Sequence, residues 1–131
     1  MNIKSLNEEI EKINRYLKNC RWMDFEICQL SFIRIEVGGQ IDEILNKFAI
    51  SIFFEQPTFV QCPLLWRLDD SKKFIELASE EEFKEINKKY FIEEGNFLFK
   101  INMEDYTEPA YIAARDIKCC IHDENPFRNF S

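Results

Sequence analysis

Short stretches in which apolar residues occupy alternate positions recur along this chain. The clearest extend from Phe48 to Phe54 and from Phe97 to Met103. A period of two matches the way successive side chains of a β-strand point to opposite faces of a sheet. The chain also has 13 Phe, 4 Tyr and 2 Trp, but only 3 Gly and 4 Pro, so it is rich in strand-forming aromatics and poor in breakers. We therefore predict a packed fold in which strands dominate.

Several other stretches carry weaker strand patterns. Between Phe25 and Val37 the apolar positions change parity, which predicts either one long strand with a bulge near residues 28–31 or two short strands. Gly38-Gly39 is typical of a turn after them. Further strands are expected at Leu64–Leu68, at 74–77 and within 110–122. The last of these is expected to form a hairpin with the Phe97–Met103 strand.

Two amphipathic helices are predicted. In the first, apolar residues recur at steps of four, three and four, after a capping box formed by Ser5 and Glu8. This helix should extend over residues 6–19. In the second, Ser79 and Glu82 form another capping box before a helix over 80–90. Acidic residues in its first turn and lysines in its last favour that helix through its dipole.

The 131 residues fit a single domain, because a second hydrophobic core would have little chain to draw on. We expect one α+β domain over residues 1–124, followed by a polar C-terminal tail at 125–131. Consecutive strands joined by short connections favour a mostly antiparallel sheet. The two amphipathic helices should cover one face of that sheet in a two-layer arrangement.

Charge and hydropathy restrict the partners of the protein. The formal net charge of -7 repels phosphate, so we expect no nucleic-acid partner. The same charge suits a basic protein partner. The apolar run from Phe48 to Phe54 is far too short to cross a bilayer, and residues 1–5 show no apolar signal core. The expectation is therefore a cytoplasmic protein that does not bind membranes.

Candidate metal and nucleophile residues cluster near the end of the chain. Cys119, Cys120 and His122 lie within a few positions of one another, and His122 is the only histidine. On a strand Cys120 and His122 share a face while Cys119 points away, so the ligands of a zinc site do not converge. The five cysteines match no disulfide framework and are expected to be reduced. We predict no metal, no cofactor and no catalytic residue.

Pairs of acidic residues also occur, at Asp69-Asp70, Glu93-Glu94 and Glu104-Asp105. Each pair lies in a predicted turn, where solvated charge is the ordinary state. None has the alternating oxygen ligands of a calcium-binding loop. The chain also lacks the glycine spacing of a nucleotide-binding loop. An enzyme or ligand-binding protein would need these carboxylates, or the group around His122, to converge on a pocket between the sheet and the helices.

The segment from Phe53 to Trp66 has the densest run of large apolar residues. Consecutive apolar residues on a strand point to both faces, so either a helix covers the second face or a partner does. Under the second interpretation, the predicted partner-binding residues are Phe53, Phe54, Phe59 and Trp66. The partner would be another protein or a second copy of the chain in a homodimer.

The order of the predicted elements resembles that of small bacterial immunity proteins of polymorphic toxin systems. The resemblance lies in Trp22-Met23-Asp24-Phe25-Glu26, which opens the first strand, and in the late strand Tyr111-Ile112-Ala113-Ala114. Immunity proteins neutralise a cognate toxin by binding it, and acidic ones often face basic nucleases. The resemblance thus implies a non-enzymatic protein-binding module, with a small enzyme or ligand-binding protein as the alternative.

Overall fold

The computed structural model describes residues 2–41 and 47–124. It contains two helices and nine strands within that part of the chain. In chain order they are α1 (Ile3–Lys18), β1 (Asp24–Leu30), β2 (Arg34–Gln40), β3 (Ile50–Glu55), β4 (Phe59–Gln61), β5 (Leu65–Arg67), β6 (Ile75–Leu77), α2 (Glu80–Tyr90), β7 (Phe97–Ile101), β8 (Ala110–Ala114) and β9 (Asp116–Ile121). The polar tail predicted at 125–131 lies outside the described residues.

The strands form two antiparallel sheets. One has the order β5-β1-β2-β3-β9 and the other the order β4-β8-β7-β6. The predicted α+β class, with mostly antiparallel strands and two helices, is confirmed. Along the described strands the chain changes sheet four times, at β3–β4, β4–β5, β5–β6 and β8–β9. Arg115 lies at the last of these changes. Its backbone N–H donates to the carbonyl of Glu55 there, 3.0 Å away.

The main core lies between the two sheets. Each sheet contributes alternate apolar side chains to it, and Phe54 of the five-stranded sheet meets Phe99 of the four-stranded sheet edge to face at 5.4 Å. The alternation from Phe48 to Phe54 predicts that Phe48 shares one strand face with Ile50, Ile52 and Phe54, and for Phe48 this prediction is wrong. Its ring lies over Gly38 on the opposite face, and β3 begins only at Ile50.

The stretch predicted as one bulged strand or two short ones contains both features. β1 and β2 are separate strands of a hairpin, and the register shifts between Ile27 and Gln29. The prediction of a turn at Gly38-Gly39 is wrong, since both residues lie within β2 and pair with strands on either side. Neither position leaves room for a side chain. A Cβ on Gly39 would come within 2.6 Å of Met23 Sδ and 2.7 Å of the Phe25 ring.

Helix α1 begins earlier than its capping box predicts. Asn2 is the N-cap, and its side chain accepts a hydrogen bond from the Ser5 backbone N–H at 2.8 Å. Because the helix already includes residues 3 and 4, Ser5 cannot serve as the cap. The apolar face is as expected and is fully buried; it comprises Leu6, Ile10, Ile13 and Leu17.

Polar side chains of α1 cover the edges of both sheets. Glu9 accepts from the backbone N–H of Cys119 in β9 at 3.1 Å, and Lys12 donates to the carbonyl of the same residue at 3.4 Å. Asn14 makes the same kind of pair with Ile75 in β6, donating to its carbonyl at 2.7 Å and accepting from its N–H at 3.1 Å. The helix therefore closes one side of the molecule, where exposed strand edges would otherwise invite pairing.

Helix α2 has the predicted bounds and the predicted capping box between Ser79 and Glu82. It lies on the outer face of the four-stranded sheet, where its residues join a second apolar cluster with Leu98, Tyr111 and Ala113. Strand β8 is consequently buried on both faces. Helix α2 ends at Phe91, whose φ of 55° breaks the helical geometry.

Candidate protein-binding surface

The turn between β1 and β2 holds large apolar side chains out in solvent. Ser31 shapes the turn, because its Oγ accepts hydrogen bonds from the N–H groups of Ile33 and Arg34, each at 3.2 Å. This side-chain-to-backbone bonding replaces the strand ladder over these residues. Phe32 is left 83% exposed and Ile33 61% exposed. The backbone of the turn is thus fixed while its apolar groups remain uncovered.

The apolar surface continues from the turn onto β4. Leu30, Phe32, Phe59 and Val60 line one depression of about 240 Å³. The turn is tied to this strand region because Gln56 donates its N–H to the carbonyl of Ile33 at 2.9 Å. We refer to Leu30, Phe32, Ile33 and Val60 as the hairpin-tip patch. Contiguous apolar surface of this kind on a charged protein marks an interaction site more often than isolated exposed residues do.

The C-terminal end of α2 extends the same surface. The Tyr90 ring lies 4.9 Å from that of Phe59 and is itself exposed. The next residue, Phe91, is 76% exposed and has a φ of 55°. A bulky residue at positive φ strains the backbone. Because the Phe91 ring is exposed, it gains little burial energy to offset that strain. Strained backbone of this kind is concentrated at functional sites.

Charges beside the hairpin-tip patch are mostly paired or acidic. Arg34 forms a salt bridge with Glu55 at 2.6 Å and lies over the ring of Phe53 at 4.8 Å. Glu26 and Glu36 lie near Cys28 on the same sheet face, and both raise the pKa of its thiol after burial, which is the larger cause. No salt bridge joins either carboxylate to a cation within the described residues. This side of the patch is therefore acidic.

The structure separates the four residues predicted to bind a partner. Phe54 and Trp66 lie in the main core, and Trp66 is only 4% exposed. Phe53 is half-buried on the outer face of the five-stranded sheet, beneath Arg34. Phe59 is half-buried and lines the depression next to the hairpin-tip patch. Of these four residues, only Phe53 and Phe59 have solvent-accessible side chains. A binding role for them stays a prediction.

Sequence reasoning missed the hairpin-tip patch itself, although a signal was present. Leu30, Phe32 and Ile33 fall at the point where the strand parity changes, around Ser31. Reading that change as a bulge kept these residues within a strand. Large apolar residues on both sides of a turn cannot all reach the core, so the parity change was the available indicator of exposed apolar groups.

The group around His122 is connected by a hydrogen bond. His122 Nε2 lies 3.0 Å from Ser51 Oγ, and Cys120 pairs with Ser51 across the strands. Ser51 is buried, and these three residues line neither the cavity beside β5 nor the depression at the hairpin tip. Burial raises the pKa of the Cys119 thiol to about 11, so it stays protonated at neutral pH. All five cysteines are free.

The acidic pairs are likewise spread apart. Asp69 accepts hydrogen bonds from the hydroxyl and N–H of Ser71, which lower the pKa of its carboxyl and shape the turn. Glu93 pairs with Arg115 at 3.4 Å. Over residues 2–41 and 47–124, no three metal-ligating side chains converge on one point.

No helix in the described part of the chain has the length and apolar character needed to cross a membrane. Comparisons of the chain with protein-family models, with curated proteins and with solved structures found no match.

Proposed function

We propose that this protein is a non-enzymatic binding module that recognises another protein through the hairpin-tip patch. The observation that supports the proposal is the exposure of Phe32 and Ile33 on a turn whose backbone is fixed by Ser31. Anchors held in place before binding lose little conformational entropy on association. Aromatic anchors surrounded by polar groups are also the usual centres of binding energy at protein interfaces.

The partner we propose is a basic protein. The formal net charge of -7 supports this choice, and so do the carboxylates of Glu26 and Glu36 near Cys28, which form no salt bridge with a described cation. Opposite charges speed encounter and favour correct partners. Direct binding of a basic partner in the cytoplasm is what an immunity or inhibitor protein does when it neutralises a toxin. We propose that role as the specific form of the binding function.

The test is a binding isotherm with a partner captured from the native host and then purified. Phe32→Ser should weaken its binding by about tenfold or more, since loss of an interface aromatic costs over 1 kcal/mol. Ile3→Ser is the matched control, because Ile3 is also exposed but lies on α1, at the closed side of the molecule. Equal affinity of wild type and Phe32→Ser would contradict the proposal.

Sedimentation of the purified protein separates a foreign partner from a second copy of the chain. We expect a monomer that forms a complex only when the partner is added. A homodimer that dissociates on Phe32→Ser substitution would show that the patch serves self-association, and the proposal of a basic partner would then be wrong.

A further inference from the structure

Some strand edges of the two sheets are covered by other parts of the chain and one is largely uncovered. On one side, side chains of α1 bind the backbone of β9 and β6, as described above. On the other side, β5 is the outermost strand of the five-stranded sheet and its strand partner is β1. The segment around Met103 covers only the C-terminal end of its outer edge, through a bridge between Leu68 and Met103. An uncovered strand edge presents N–H and C=O groups that another extended chain can bind.

The hydrogen bonds of β5 show which of its groups face outward. Ile27 N–H donates to the Leu64 carbonyl at 3.0 Å, and Leu68 N–H donates to the Met23 carbonyl at 2.9 Å. In an antiparallel ladder these bonded pairs alternate with unbonded ones, so the backbone groups of Leu65 point away from β1. No described residue accepts from the Leu65 N–H or donates to its carbonyl, whereas the Arg67 carbonyl accepts from Glu104 N–H at 3.1 Å.

The surroundings of this edge favour a basic chain. A cavity of about 810 Å³ borders β5, and four carboxylates but only one cation line it. Arg67 lies 3.8 Å from Asp24, and no salt bridge engages the other three carboxylates within the described residues: Glu26, Glu104 and Asp105. Leu64 and Leu65, 67% and 66% exposed, supply apolar contact beside them.

We propose that the β5 edge binds an extended, lysine- or arginine-containing segment of the protein partner as an additional antiparallel strand. The inference deepens the proposed function and depends on it. Backbone hydrogen bonds to Leu65 would set the register of the added strand. The unpaired carboxylates would select basic side chains within that strand, at positions that face the cavity.

The probe is a short peptide of alternating lysine and valine. Its binding is monitored in an NMR titration through the backbone amide signals of Leu65 and Arg67. Its matched control is the same peptide N-methylated at alternate residues, which keeps the charge but cannot donate to the edge. On the protein side, Leu65→Pro removes the outward N–H without removing a bond to β1, since edge strands accommodate proline. Leu65→Val keeps the N–H and is the matched variant.

The unmodified peptide should shift the Leu65 and Arg67 signals, and the N-methylated peptide should bind about tenfold more weakly or not at all. Replacing lysine by glutamate in the peptide should abolish binding. Equal binding of the two lysine peptides would overturn the added strand, and this arm needs no variant that folds. With the captured partner, loss of affinity in Phe32→Ser but not in Leu65→Pro would reject the β5 edge and leave the proposed function intact. Loss in neither variant would reject both.

Discussion

Phe32 and Phe91 are the most exposed large apolar residues in the described part of the chain. Phe32 stands on a turn fixed by a serine, and Phe91 ends α2 at a φ of 55°. In both places an aromatic ring is exposed to solvent on a backbone with a defined, non-repetitive conformation. Exposed apolar residues that do not stabilise the folded monomer are good candidates for contact with a partner.

The strain at Phe91 leads to a stability prediction. Phe91→Gly should stabilise the fold by about 1 kcal/mol, because glycine adopts positive φ without the steric cost of a Cβ and the exposed ring buries little. Chemical denaturation measures the change. Phe91→Ala is the control, since alanine keeps the Cβ and should give no gain. A clear loss of stability in Phe91→Gly would show that the ring packs against the protein.

The two glycines of β2 should differ in their tolerance of a side chain. Gly39→Ala should cost about 2 kcal/mol of unfolding free energy, because its Cβ would meet the buried side chains of Met23 and Phe25. Gly38→Ala meets only the ring of Phe48, which is half-exposed and can move aside. Urea denaturation of the two variants compares them. Equal costs would mean that the Phe48 ring is held in place.

At the scale of elements, α1 is fixed by backbone bonds as well as by its apolar face. Asn14→Leu would leave the N–H and carbonyl of Ile75 without their partner, so we expect a loss of about 2 kcal/mol. The neighbouring substitution Arg15→Leu changes an exposed residue that pairs only within the helix and should cost far less. Thermal melts would show the difference. Similar melting temperatures for both variants would contradict the edge-covering role.

The junction between α2 and its sheet should depend on pH. Burial alone would raise the pKa of Glu82, but hydrogen bonds from Ser79, Lys100 and Tyr111 outweigh it and hold that pKa at about 2, below the ordinary 4.5. The carboxylate therefore stabilises the fold fully above pH 4.5, and this contribution is lost as the pH falls towards 2. After allowance for partial exposure, the loss should be about 2 kcal/mol.

The measurement for Glu82 is unfolding free energy as a function of pH. The variant Glu82→Gln should be less stable at neutral pH and should lose less on acidification than the wild type. Glu81→Gln is the control, because Glu81 lies in the same helical turn but is exposed and has no such partners. Identical acid dependence in the wild type and Glu82→Gln would rule out the carboxylate as the source.

Local patterns predicted the elements well where one chemical signal decides the structure. The Ser79–Glu82 box predicted the start of α2, and the alternation from Phe97 to Met103 contains β7, which ends two residues earlier at Ile101. The sequence could not show that Gly38 and Gly39 lie inside a strand, because the reason is the close approach of side chains from other strands. Strand β4 was not predicted, because Phe59 and Val60 are consecutive apolar residues and show no alternation.

The candidate site was less predictable than the fold. The four predicted partner-binding residues lie within one short segment: Phe53, Phe54, Phe59 and Trp66. Whether each side chain points into the core or outward depends on which sheet its strand joins. Phe54 and Trp66 point into the core because β3 and β5 pack their inner faces on the other sheet. Burial is a property of tertiary packing, and local sequence density cannot assign it.

At the scale of the whole molecule, the fold covers some of its strand edges and leaves other backbone and apolar groups accessible. Helix α1 covers the edges of β9 and β6, while the apolar groups of the hairpin-tip patch and the outward backbone groups of Leu65 stay uncovered by the described residues. The net charge of -7 gives the whole molecule a field that attracts basic proteins. The proposed binding function therefore depends on where the fold leaves apolar groups and backbone uncovered.

Hydrogen–deuterium exchange of the protein, free and bound to its captured partner, tests the binding surface most directly. We expect slower exchange in the bound state over residues 30–34 and 58–61, because the hairpin-tip patch and β4 would be covered. Exchange over α1 should stay unchanged. Protection confined to α1, or exchange at 30–34 that the partner does not alter, would contradict the proposed interface.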